Sequence, residues 1–384
     1  MAISMEEPGG LAKRHEGPDR MRDPGDSGER SGEASAGRAM RVAMTGCLGS
    51  GRFHIHVSAF PLLVIVLLTC AHPRHLACQA LGLEGEPGSG SNFTVASAIS
   101  AAFPATAIIL RTVPLVAPGT SGLMPWIANP LLLGAHVPMY WVEPSRAIGY
   151  SIAGLALPAA GVGLMFAGSS VAIASTLSAT LLGGYARLME YAAYDTYRLE
   201  APELEGHTLA SLAAAPFSAG KLASPLVWIP SLAGPAALIL FYLAIEPDLG
   251  TPVYESGQSR IGTAVVGPAL GALGAAAFGL VDMLLVAIGE EAYYRGILYE
   301  ESKRALGLWP ARMMDMAVFP AIHLPGDIKS GFKPGTILFN YGWRAAMTLV
   351  YDAAYDEGDL PLSVAVHFWS DFILVMARWL FYGG

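Results

Sequence analysis

Gly289-Glu290-Glu291-Ala292-Tyr293-Tyr294-Arg295-Gly296 follows directly on an apolar run, from about Ile261 to Ile288, that is long enough to cross a bilayer. A spanning helix needs roughly 20 apolar residues at about 1.5 Å each. Two adjacent carboxylates and an arginine at the end of such a run are costly. Each charge near mid-membrane costs on the order of 2.5–3.5 kcal/mol on insertion scales, so such groups are paired, functional or both. Taken alone, the stretch fits a juxtamembrane salt bridge as well as a reactive site. The rest of the chain has to decide.

Composition fixes the solvent. The 384 residues are 53% hydrophobic and 14% charged, with a mean hydropathy of +0.45. Soluble domains carry about 25% charged residues, so the chain reads as an all-α, polytopic membrane bundle. The formal charge is −8; residues 1–52 hold 8 basic and 8 acidic side chains, leaving 15 against 23 for the remainder. Nothing there resembles a basic nucleic-acid surface, and no nucleic-acid partner is expected. Cys47, Cys70 and Cys78 all precede the membrane core and form neither a CxxC pair nor an even set, which argues against a disulfide framework.

Residues 1–52, rich in Gly, Ser and charge without apolar periodicity, read as a disordered extension. Residues 53–82 hold a compact apolar run, Val57 to Cys70, whose length suits a signal-like or anchor segment. Leu67-Leu68-Thr69-Cys70 resembles a lipoprotein cleavage box, with Thr69 where Gly or Ala is expected. His54 and His56 have no third ligand nearby and read as polar flank. Residues 83–220 are expected to be accessory transmembrane helices with a loop, and residues 221–384 a second membrane domain. Spans are expected at about 93–117, 122–142, 147–168, 169–188, 224–246 and 261–288. The second contains Pro125, Pro130 and Pro138 and reads as broken or re-entrant. Small residues such as Gly161, Gly163, Gly183 and Gly184 allow close helix packing in lipid. The polar stretch from Arg187 to His207 predicts an extramembrane connection. Asp352 to Asp359 predicts an acidic loop before a last helix, Pro361 to Phe381.

Ionisable residues return to apolar surroundings in the C-terminal third. Phe319 and His323 lie one helical turn apart at the end of an apolar stretch, and His367 and Asp371 share one face of the last helix. Each pair has a structural explanation by itself. Supporting Glu290, Glu291, Arg295, His323, His367 and Asp371 separately in lipid costs more than gathering them in one polar cavity between helices. A glutamate, two histidines and an aspartate converging on water form an acid–base set suited to hydrolysis.

Glu290-Glu291-x-x-x-Arg295, Phe319-x-x-x-His323 and His367-x-x-x-Asp371, in that order, resemble the three motifs of the CPBP family. That family includes type II CAAX prenyl endopeptidases, Abi/bacteriocin-immunity proteins and relatives of the lysostaphin-resistance protein. The resemblance covers about residues 225–382 and makes 221–384 the expected catalytic domain. It implies a helical membrane bundle with a water-filled cavity and an intramembrane endopeptidase activity. It further implies that Glu290 activates water, that His323 helps position and deprotonate it, and that His367 and Asp371 stabilise the oxyanion. Glu291 and Arg295, spaced i, i+4 with the acid first, are expected to pair as structural support, with Phe319 packed beside His323. The family's last position is Asn or Asp. An ionised Asp371 cannot donate to an oxyanion, so it is either protonated or orients His367.

No cofactor is expected, because the HExxH pair of membrane zinc proteases is absent; the alternative is zinc held by Glu290, His323 and His367. A second function class is a non-catalytic peptide-binding or bacteriocin-immunity membrane protein that uses the same cavity. A transporter is disfavoured by the lack of repeated halves. Serine chemistry at Gly88-Ser89-Gly90-Ser91 lacks a partner histidine at membrane depth. The expected partners are the lipid bilayer and a membrane-associated protein or peptide substrate, in a bacterial inner membrane.

Overall fold

Thr94 starts the first helix by accepting a hydrogen bond from the Ser97 amide while the Ser97 side chain reaches back to the Thr94 amide, a capping box that satisfies two otherwise orphaned donors. The structure, a computed structural model, describes residues 92–120, 123–167, 172–201, 207–245, 257–261 and 264–382. The expected disordered extension (1–52), the signal-like segment (53–82) and the Gly88–Ser91 stretch lie outside the described residues.

Helix α1 spans Val95–Val116, α2 Met124–Leu133, and a 3-10 segment Gly134–Trp141. Proline removes an i to i−4 hydrogen bond. Pro125 suits the start of α2, while Pro130 inside it and Pro138 in the 3-10 segment each lack an N–H, and the region is divided into short pieces, as its sequence suggested. Next come α3 (Pro144–Ala167), α4 (Ala172–Glu200), α5 (Leu209–Ala214), α6 (Ala219–Leu222) and α7 (Pro225–Ile245). A small antiparallel hairpin, β1 (Ser259–Ile261) with β2 (Ala264–Val266), sets Ser259 opposite Val266. The apolar run thus becomes helical at Pro268, whose fixed φ suits a first helical turn. Helix α8 (Pro268–Tyr293) passes through a π turn (Tyr294–Tyr299) into α9 (Glu300–Leu306). Then follow α10 (Leu308–Ala321), α11 (Leu324–Lys329) and α12 (Pro334–Tyr382).

Among the described residues, five helical segments are long and apolar enough to cross a membrane: Val95–Leu115, Pro144–Leu164, Pro225–Tyr242, Pro268–Leu306 and Pro334–Leu380. Their outer faces keep large apolar side chains exposed, such as Ile152 (64%) and Leu155 (63%) on α3 and Leu273 (66%) on α8. Contiguous exposure of this kind is favourable against lipid rather than water. The protein is a polytopic integral membrane protein whose described residues are almost entirely helical.

Two expectations about polar stretches need correction. The supposed connection from Arg187 to His207 is helix as far as Glu200. Its acids are tolerated because they are paired: Arg187 Nη1 lies 2.7 Å from Glu190, and Asp195 contacts Arg198 at 2.5 Å and Arg146 at 3.1 Å. The supposed loop at 352–359 is also mostly helix, and Asp352 is fully buried. Helix α12 breaks only at Gly358 and Asp359, the latter with φ 63° and ψ −177°, a region essentially reserved for glycine. Asp359 is held there by the Leu360 amide (2.7 Å) and His207 Nε2 (2.5 Å), while Lys221 Nζ donates to the Gly358 carbonyl (3.0 Å). Pro361 then opens the second half of the helix.

Helices α4 and α8 pack with unusually close backbones. A Cβ on Gly289 would lie 2.7 Å from the Arg187 Cα and carbonyl oxygen, and one on Gly296 would lie 2.6 Å from the Tyr194 ring. Gly184 faces Leu285 in the same register, so the two helices run parallel here. Small residues at such a contact permit van der Waals packing that lipid otherwise does not drive. A Gly289→Leu protein should lose on the order of 1–3 kcal/mol through overpacking against backbone that cannot yield. Thermal unfolding in detergent checks this: the midpoint should fall clearly, whereas Gly163→Leu, at an open position, should leave it nearly unchanged.

Candidate active site

The last turn of α8 points two adjacent glutamates in different directions, both almost fully buried (Glu290 1%, Glu291 0%). Successive residues on a helix are rotated by roughly 100°, and here that rotation separates their partners. Glu290 Oε1 meets Arg187 Nη1 of α4 at 2.9 Å. Glu290 Oε2 lies 3.8 Å from His367 Nε2 and has no hydrogen-bond partner among the described residues. Glu291 Oε1 meets Arg295 Nη1 at 3.1 Å and His367 Nδ1 at 2.6 Å, and its Oε2 accepts from Ser363 Oγ. The Glu291–Arg295 pair is present, and Glu291 also fixes the imidazole of His367, a link that motif spacing does not reveal.

His367 is held on every side. Its Nε2 lies 3.2 Å from Asp371 Oδ2, one turn further along α12. Its ring stacks on Tyr351 from the other half of the same helix, with centroids 4.5 Å apart and planes 13° apart. The Gly358-Asp359 break lets one helix present both faces of this sandwich. Phe319 stands edge-on to both histidines, 5.3 Å from His323 and 6.1 Å from His367. It is therefore shared packing for the site.

His323 sits half-buried at the start of α11, outside the five apolar spans. Burial holds its imidazole well below the ordinary histidine range, with Glu290 acting in the opposite sense, so the ring is neutral at pH 7. Asp371 differs from the other members of the set. Its side chain is 30% exposed, and it lines a small cleft with Trp343, Met347 and Tyr351 among its walls.

Beneath the site lies a buried ionic cluster. The Arg295 guanidinium is fully buried and reaches Glu291 (3.1 Å), Asp352 (3.2 Å) and Asp315 (3.3 Å). Its face also covers the Phe319 ring at 4.5 Å. A planar fork with five donors is the side chain suited to several carboxylates at once.

Sequence reasoning missed Arg187, Glu190, Asp315, Tyr351, Asp352 and Ser363. A partial signal existed: Arg187–Glu190 and Asp195–Arg198 are opposite charges at i, i+3, a helix pairing pattern inside the stretch taken for a connection.

A zinc site needs three or more ligand atoms converging at about 2.0–2.2 Å. Here Glu290 Oε1 faces Arg187, His367 Nδ1 faces Glu291 and His367 Nε2 faces Asp371. Among the described residues no group of three His, Cys, Asp or Glu side chains is placed to hold a metal ion.

Residues 272–373 match the family model of the Rce1-like proteins, type II CAAX prenyl endopeptidase Rce1-like. The match makes this segment similar to that family. It contains Glu290, Glu291, Arg295, Phe319, His323, His367 and Asp371, and it supports a CAAX-type intramembrane protease in general terms. Arg187 and Glu190 lie outside it. No curated protein and no solved structure matches the chain.

Removing Arg295 would leave buried carboxylates without compensation, a change that typically costs about 3–5 kcal/mol. An Arg295→Gln protein should therefore fail to accumulate folded or unfold at much lower temperature. Arg295→Lys should recover little, since an ammonium cannot reproduce the fork; fluorescence-detected size exclusion of both variants reads the outcome.

Proposed function

We propose that this protein is an intramembrane endopeptidase that hydrolyses a peptide bond of a membrane-associated protein or peptide, with Glu290 activating the water. The observation that carries the reading is the asymmetry of the Glu290 carboxylate. One oxygen is tied to Arg187 at 2.9 Å, while the other is buried, without a hydrogen-bond partner among the described residues, and 3.8 Å from His367 Nε2.

In this scheme Glu290 Oε2 takes a proton from water as the water oxygen bonds to the scissile carbonyl carbon. The carbonyl π pair moves onto oxygen and forms the tetrahedral oxyanion. When the C–N bond breaks, Glu290 returns the proton to the departing amine. Neutral His323 accepts a hydrogen bond from the water and fixes its direction.

Both ring nitrogens of His367 face carboxylate oxygens, so an imidazolium satisfies both contacts, and its Nε2–H edge is the donor assigned to the oxyanion. Asp371 orients that ring from the mouth of the cleft. Both His367 nitrogens face carboxylate oxygens, which supports a metal-free path. The compact apolar helices and the signal-like 53–82 segment favour a bacterial inner membrane.

Substrate trapping tests the reading. In native membranes carrying Glu290→Gln, at least one membrane-associated protein should accumulate uncleaved, and wild-type processing should survive exhaustive chelation. His367→Ala should slow cleavage by about 10²–10³, the usual cost of a lost oxyanion donor. If no protein's processing changes in the Glu290→Gln membranes, the protease reading fails and the non-catalytic peptide-binding or immunity reading takes its place.

A further inference from the structure

We propose that Arg187, contributed by α4 from outside the Rce1-like segment, is a positioning residue that orients the Glu290 carboxylate. The inference rests on the reading of Glu290 as the water-activating group.

A carboxylate on a flexible side chain can rotate and offer either oxygen in many directions. Attack on an amide needs one oxygen aimed at one water. Arg187 Nη1 lies 2.9 Å from Glu290 Oε1 and 2.7 Å from Glu190 Oε2, so a single nitrogen joins the two acids. Glu190 is buried (4%) on the same helix one turn further along, and it fixes the guanidinium before Glu290 is met.

Backbone packing makes the contact short-range. Gly289, the neighbour of Glu290, lies so close to Arg187 that a Cβ would come within 2.7 Å of its backbone. With Oε1 clamped, Oε2 is left toward His367 Nε2 at 3.8 Å. The matched segment, 272–373, therefore holds the reacting groups while α4 supplies the clamp that aims them.

A purely structural brace predicts something different. If Arg187 only compensated charge between α4 and α8, its loss would lower the amount of folded protein without a specific effect on turnover. A positioning role predicts a fall in kcat with KM nearly unchanged, because substrate binding does not use the clamp.

The full chain in liposomes, assayed with an internally quenched farnesylated peptide ending in a CAAX sequence, separates these outcomes. Arg187→Gln should lower kcat by about 10²-fold, the scale expected for a misaligned catalytic group. KM should stay close to wild type, while the thermal midpoint falls because Glu190 and Glu290 lose their cation; kcat is therefore read per folded molecule. Arg187→Lys, which restores a cationic donor, should recover at least about tenfold of the lost turnover.

Equal kcat for the Gln and Lys variants, or a loss confined to KM or folded yield, overturns the proposal. If Arg187→Gln does not fold, Glu190→Gln decides. It keeps Arg187 but releases its guanidinium, and an unchanged kcat overturns the proposal. Glu290→Gln separates the two levels. An inactive Glu290→Gln beside a fully active Arg187→Gln refutes only the clamp. An active Glu290→Gln, or a wild type that leaves the peptide whole, refutes the reading beneath it and the clamp with it.

Discussion

The Arg295 guanidinium, fully buried with Glu291, Asp315 and Asp352 around it, is the constraint on which the C-terminal helices depend. It ties the end of α8 to α10 and to the first half of α12. A charge removed from water in this way is tolerated only when its partners have good geometry and their remaining hydrogen bonds are met. Glu291 carries the constraint onward, because the oxygen that meets Arg295 also meets His367 Nδ1. The same ion pair that holds the helix end therefore fixes the imidazole at the site.

Adjacent glutamates acquire different surroundings from this arrangement. Glu291 is saturated by Arg295, His367 and Ser363, whereas Glu290 keeps one oxygen without a partner among the described residues. Their separation needs no special backbone, only the rotation between successive helical residues and two different neighbours. Helix α4 lies on one side and the second half of α12 on the other. Aromatic rings complete the enclosure, with Tyr351 stacked on His367 and Phe319 edge-on to both histidines. Planar packing of this kind fixes ring orientation as well as position.

The break in α12 deserves its place in the same account. Without it, Tyr351 and His367 would lie 16 residues apart on one straight helix, about 24 Å along the axis at 1.5 Å per residue. The reversal at Gly358 and Asp359 folds the second half back so that the two rings touch. Residues from the region before α7, His207 and Lys221, hold that turn. The N-terminal helices thus support the site both through α4 and through the kink.

Membrane class, most of the spanning segments and the identity of the ionisable set were legible in the sequence, because burying charge in lipid is costly enough to mark each exception. Motif spacing also gave the Glu291–Arg295 and His367–Asp371 contacts, since residues four apart share a helix face. Sequence reading failed where charges are paired across distant segments. Arg187 and Asp352 sat in acidic stretches that looked like loops, although each belongs to a helix and has a buried partner. Local pattern measures how polar a segment is; whether that polarity is neutralised depends on which helix packs against it. Only the tertiary structure decided that Glu290 is held from α4, that Glu291 serves His367, and that α12 turns back on itself. Each rests on contacts between residues far apart in the chain, which composition and periodicity do not encode.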